Sequence, residues 1–116
     1  MRDHRKLRVF KLADELVVRV YEATKGFPKE ELFGLTNQLR RSVVSVPSNI
    51  VEGCARRTQR EYLRHLDIAY ASTKEVEYQL TVACKLHFLE PSTAASVAEL
   101  ADKTARHLNN LIRSLS

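Results

Sequence analysis

Arginine is the reactive-looking residue that this 116-residue chain concentrates most. Residues 36–64 hold Arg40, Arg41, Arg56, Arg57, Arg60 and Arg64, and no lysine. The guanidinium is planar, permanently charged and matched to phosphate oxygens by paired N–H donors, so this bias points to phosphate recognition. Arg57, Arg60 and Arg64 recur at steps of three and four, which aligns them on one helical face, with Arg56 in the same turn. A solvated face paired to Glu52, Glu61 or Asp67 is the competing reading. Arg41 falls on a polar stripe and joins Arg56, Arg57, Arg60 and Arg64 as a candidate nucleic-acid contact. Arg40 shares a stripe with Val44, Pro47 and Val51, which reads as a half-buried oligomer interface with Arg40 in a structural pairing. Ser45, Asn49 and Glu52 form a polar cluster one turn apart, and Asn49 can bond the Ser45 carbonyl or the backbone freed by Pro47; the cluster reads as structural.

Signatures of catalysis are missing. There is no HExxH, GxSxG, glycine-rich phosphate loop or paired Glu-x-x-His. His4, His65, His87 and His107 have no ligand spacing, and Cys54 and Cys84 share no CxxC, so they read as reduced small apolar residues. A nuclease assembled from Glu52, Glu61 and His65 is the enzymatic alternative. The expectation is a non-catalytic protein with no catalytic residues, no metal and no cofactor.

The elements that position these residues follow from apolar periodicity. In the central stretch Leu35, Leu39, Val43, Val46 and Ile50 give one helical face, and Arg40, Val44, Pro47 and Val51 a second. Two such stripes predict burial on two sides, by another helix of the chain or by another subunit. Pro47 lacks the N–H for the Val43 carbonyl, so a kink or local opening is expected there. Gly53 serves either as a left-handed cap or as a point of close backbone approach.

Upstream, Val9, Leu12, Ala13, Leu16, Val17, Val20 and Tyr21 mark a helix over about 8–25, stopped by Gly26 as a left-handed cap and by Pro28. The second helix spans about 35–56. Thr58 to Glu61 is a capping box that opens a third over about 59–87, whose seam is Tyr62, Leu66, Ala69, Thr73, Val76, Leu80 and Ala83. Ser92 or Thr93 is expected to cap a fourth over about 93–114, with Val97, Ala101, Thr104, Leu108, Leu111 and Leu115 inward. Short connections make neighbours antiparallel, so the fold is read as an all-α, up-down-up-down four-helix bundle filling one domain, 1–116.

The run Gln38-Leu39-Arg40-Arg41, Ser45-Val46-Pro47, Asn49-Ile50 and Glu52-Gly53, preceded by Phe27-Pro28 and Phe33-Gly34-Leu35 and followed by Glu61-Tyr62, Ser72 and Glu75, resembles the bacterial four helix bundle protein family. That family is named for the intervening-sequence protein of 23S ribosomal RNA genes, and is similar to the accessory variability protein of diversity-generating retroelements. Val51 and Ser42 depart from its pattern, where a small residue and Ala are usual. The resemblance implies a homopentamer, a nucleic-acid partner with RNA favoured, and a reverse transcriptase as a further partner in retroelement loci.

Charge placement agrees with a polyanion partner. The net formal charge is +5, carried by residues 1–8 at +3 and residues 36–64 at +4, with the two remaining segments at −1 each. A clustered basic patch is the footprint of nucleic-acid binding. Whether the N-terminal Arg2, Arg5, Lys6 and Arg8 form a flexible arm or a solubilising terminus is left open by the residues. There is no apolar run of membrane-spanning length and no signal-peptide core, so a cytoplasmic protein without membrane contact is expected. The functional expectation is a small basic oligomer that binds structured RNA or DNA through its arginine face; the alternative is a protein-binding scaffold.

Overall fold

Each apolar stripe becomes a helix in the computed structural model, which describes residues 2–116. α1 spans Arg8–Thr24, α2 Leu35–Cys54, α3 Gln59–Lys85 and α4 Pro91–Leu115, and short 3-10 turns occupy His4–Lys6 and Lys29–Glu31. There is no strand among the described residues. Each helix packs on two neighbours, in the cycle α1–α2–α3–α4, with the diagonal pairs set further apart. The bundle is 43 Å long.

The direction of the helices follows from which residues share a core. One half gathers Leu16 and Val20 late in α1, Leu39 and Val43 early in α2, Val76 and Leu80 late in α3, and Val97 early in α4. The other gathers Val9 and Ala13, then Ile50 and Cys54, then Tyr62 and Leu66, then Leu108. Late residues meet early ones at every step, so the bundle runs up-down-up-down. Leu16, Leu39, Ile50, Leu66, Leu80 and Leu108 are fully buried, each contributing about 1.5–3 kcal/mol of transfer free energy.

Both stripes of α2 find contacts within one chain, the second only in part. The first fills the core. Along the second, Arg40 donates from Nε to Thr24 Oγ1 of α1 at 2.9 Å and lies over the Tyr21 ring at 4.6 Å. Pro47 is buried and Val51 half-buried, whereas Val44 is exposed. Of the four residues expected at an oligomer interface, Arg40 and Pro47 are therefore already covered by their own chain. The helix passes through Pro47 without a break.

The joints differ in detail from expectation. α2 stops at Cys54, so Arg56 and Arg57 lie in the corner rather than on a helix. α4 begins at Pro91 with Glu90 as N-cap, in place of Ser92 or Thr93, because proline suits the first helical position, where no N–H is needed. Gly26 takes no left-handed conformation; among the described residues the non-glycine with positive φ is His87, at 62°. There Phe88 N–H reaches the Ala83 carbonyl at 2.9 Å and His87 N–H the Cys84 carbonyl at 3.1 Å, the double closure of a Schellman motif. It swings Phe88 onto Phe27, ring centroids 5.7 Å apart.

Candidate nucleic-acid interface

The α2–α3 corner is built around Gly53. A side chain there would meet His65 Cβ at 2.9 Å and Tyr62 Cδ1 at 3.1 Å, so glycine is what lets the start of α3 lie against the end of α2. Of its two anticipated roles, close approach is the one observed. Thr58 caps α3, its hydroxyl accepting from Glu61 N–H at 3.2 Å and donating to Glu61 Oε1 at 3.0 Å. That commits Glu61 to the cap.

A hydrogen-bonded chain runs inward from the corner along the α2–α3 seam. Arg56 Nε donates to His65 Nε2 at 3.1 Å, and His65 Nδ1 meets Asn49 Oδ1 at 3.0 Å. Because Arg56 can only donate, His65 accepts at Nε2 and carries its proton on Nδ1. Asn49 Nδ2 then donates to the Ser45 carbonyl at 2.8 Å and to Ser45 Oγ at 3.1 Å, and Ser45 Oγ meets Ser72 Oγ at 2.9 Å. Glu52 lies 3.8 Å from His65 Nδ1 and 4.0 Å from Arg56. The Ser45, Asn49 and Glu52 cluster is thus part of a polar seam between two helices. His65 and Ser72 are its partners on α3, which sequence spacing alone could not connect to α2.

This separates the arginines. Arg56 belongs to the seam, bonded across the corner to His65. Arg57, Arg60 and Arg64 are exposed and form no ion pair among the described residues. Arg60 and Arg64 stand one turn apart on α3. Arg41 is exposed too, but it lies on α2, roughly 20 Å along that helix from the corner at 1.5 Å of rise per residue, and does not join the group.

The N-terminal segment, whose state the residues left open, is docked here. Arg2 lies over the Tyr62 ring at 4.1 Å and donates to the Arg56 carbonyl at 3.0 Å. Asp3 accepts from Arg5 N–H at 3.0 Å and pairs with its guanidinium; the side-chain bond to Arg5 holds the Asp3 carboxyl below the usual range. Burial pushes the Tyr62 phenol up to about 12, with neighbouring Cys54 adding to the shift and Arg2 opposing it. Burial likewise raises the Cys54 thiol, so it is not a reactive thiolate.

Folding therefore brings together basic segments that are scattered in sequence. Residues 2–11, 52–67 and 106–116 share one end of the bundle and hold eleven Lys and Arg against four Asp and Glu; the rest of the chain holds eight against ten. The end of α4 is tied in by Gln59 Nε2, which donates to the Leu115 carbonyl at 2.8 Å. The contribution of α4 is carried by Arg113, because Arg106 is paired with Asp102 one turn back at 2.9 Å; it was not visible from local composition. No cluster of His, Cys, Asp and Glu suited to a metal occurs among the described residues, and no helix among them is long and apolar enough to cross a membrane.

Residues 5–110 match the family pattern of the 23S rRNA-intervening sequence protein. The chain belongs to that family. Its fold is shared by a crystal structure of a protein of unknown function from the S23 ribosomal protein family of Bacteroides thetaiotaomicron, at a TM-score of 0.83. The two are 22% identical, over 90% of this chain and 97% of the other. None of the curated proteins matches the chain.

Proposed function

We propose that this member of the 23S rRNA-intervening sequence protein family is a non-catalytic protein that binds structured nucleic acid, RNA in preference to DNA, in the cytoplasm. The observation that carries the reading is the charge polarity of the bundle, with eleven basic against four acidic residues at one end. Arg57, Arg60 and Arg64 have no partner among the described residues, so their charge is available to phosphates. Binding by such a surface is driven by counterion release and weakens steeply with salt.

Self-association is part of the proposal. Val18 is 55% exposed and Tyr21 and Val44 are each 38% exposed in the single chain, which favours a further subunit over α1 and α2, a pentamer on the family resemblance. Repetition of a weak basic end around a ring raises avidity.

The test is binding of a labelled, structured RNA across a salt series, comparing wild type with a variant carrying Gln at Arg57, Arg60 and Arg64, after equal oligomer size is confirmed. The expected result is loss of both affinity and salt slope, by about one unit of slope per phosphate contact removed. Absence of binding by wild type at low salt refutes the reading and points to a protein-binding scaffold.

A further inference from the structure

A second site lies on the α2–α3 face, far from the basic corner. It is a cleft of about 360 Å³ lined by Phe33, Gln38, Arg41, Ser42, Glu75 and Gln79. Three features set it apart. Phe33 is 90% exposed, although an aromatic ring has much to gain from burial. Gln79 is only 7% exposed, yet its Oε1 has no hydrogen-bond partner, which is costly for a buried acceptor. Arg41 and Glu75 face the same space and form no ion pair with each other.

Phe33 is held in place. The Lys29–Glu31 turn precedes it, Gly34 N–H bonds the Glu31 carbonyl at 2.9 Å, and Glu31 Oε1 accepts from Leu35 N–H at 3.0 Å, closing the first turn of α2. The ring is thus presented by a braced connector. The lining chemistry excludes a simple phosphate cradle, because Glu75 offsets Arg41. It combines one flat aromatic face with donors and acceptors, the amides of Gln38 and Gln79 among them. Base edges present complementary sets of donors and acceptors, and base faces stack on aromatic rings.

We propose that the cleft takes one unpaired nucleobase of the bound strand, stacked on Phe33 and hydrogen-bonded at its edge by Gln38, Glu75 and Gln79. Rotation of the Gln79 amide about χ3 brings its unpartnered oxygen to a base amino group, and Arg41 reaches the adjoining phosphate. This rests on the reading of the basic end as a phosphate-binding surface and adds what that surface lacks, a means of telling single-stranded from paired RNA.

The experiment compares two labelled RNA hairpins of equal charge at one salt concentration, one with an unpaired overhang and one fully paired. Wild type is expected to prefer the overhang. Phe33→Ala reduces that preference about tenfold, in line with the loss of one stacked base, and Gln79→Leu reduces it about fivefold, in line with the loss of one hydrogen bond to the base edge. They leave the affinity for the paired hairpin and its salt slope unchanged, and Phe33→Trp retains the preference. Equal loss on both hairpins, or no loss, overturns the proposal while the phosphate-binding reading stands. A change of oligomer size in Phe33→Ala by sedimentation also overturns it, because the cleft is then a contact between copies. Absence of any RNA binding by wild type refutes the phosphate-binding reading, and the base site with it.

Discussion

Replacing Gly53 with Ala sets two effects of opposite sign against each other. Alanine is favoured over glycine in a helix by up to about 1 kcal/mol, and by less at Gly53, one residue from the end of α2. Against this, the added methyl lies 2.9 Å from His65 Cβ and 3.1 Å from Tyr62 Cδ1, where ordinary contact begins near 3.4 Å. His65 Cβ is fixed to the backbone, so no rotamer relieves the overlap. The Tyr62 ring is only 3% exposed, with Arg2 over it. The start of α3 must therefore move outward by about half an ångström, and overpacking of this kind costs about 1–3 kcal/mol. The net expectation is destabilisation by about 1–2 kcal/mol, a fall in Tm of about 5–10 °C for a domain of this size. Urea denaturation followed by circular dichroism, at fixed protein concentration, should show a lower midpoint with an unchanged m-value. Gly26→Ala is the control. Nothing lies within 4 Å of the position its Cβ would take, so that change should be neutral or mildly stabilising. If Gly53→Ala is as stable as wild type while the control behaves as stated, close packing at the corner is not what glycine provides.

Two further outcomes follow from the same structure. His87→Gly removes the cost of a left-handed conformation at a non-glycine residue, and should raise stability by up to about 1 kcal/mol in the same urea assay, whereas His87→Val should lower it. Because burial raises the Tyr62 phenol from 10 to about 12, the fold favours its neutral form: its contribution is fully present below pH 10, falls as pH rises, and is lost above about 12, on the order of 2–3 kcal/mol in all. Tyr62→Phe should flatten the loss of stability between those limits, and phenolate absorbance should show an ionisation near pH 12 that this substitution removes.

How much of this was legible beforehand depended on whether the signal was local. Helix number and inward faces are set by short-range periodicity and helix direction by the short connections, and the predicted seam positions from Tyr62 to Ala83 are all buried. Thr58 could be recognised as a cap because its partner Glu61 is three residues away. The end of α3 could not, because a left-handed His87 carries no glycine signal and is imposed by Phe88 packing on Phe27 from another joint. The second stripe of α2 was ambiguous for a related reason. Periodicity shows that a face is covered but not by what, and only the approach of Thr24 and Tyr21 identifies α1 as the cover for Arg40.

The arginines carry the same lesson into function. By type and spacing Arg56, Arg57, Arg60 and Arg64 are equivalent, but Arg56 is distinguished by His65, nine residues away on the far side of a corner. Its neighbours stay unpaired because the corner turns them outward. One guanidinium thus assembles the surface while the others are free to use it. On this argument Arg56→Gln weakens RNA binding by loosening the corner, and should lower thermal stability as well. Arg60→Gln weakens binding alone. If both changes lower affinity without touching stability, the seam does not support the surface, and the four arginines are the undivided patch that their spacing suggests.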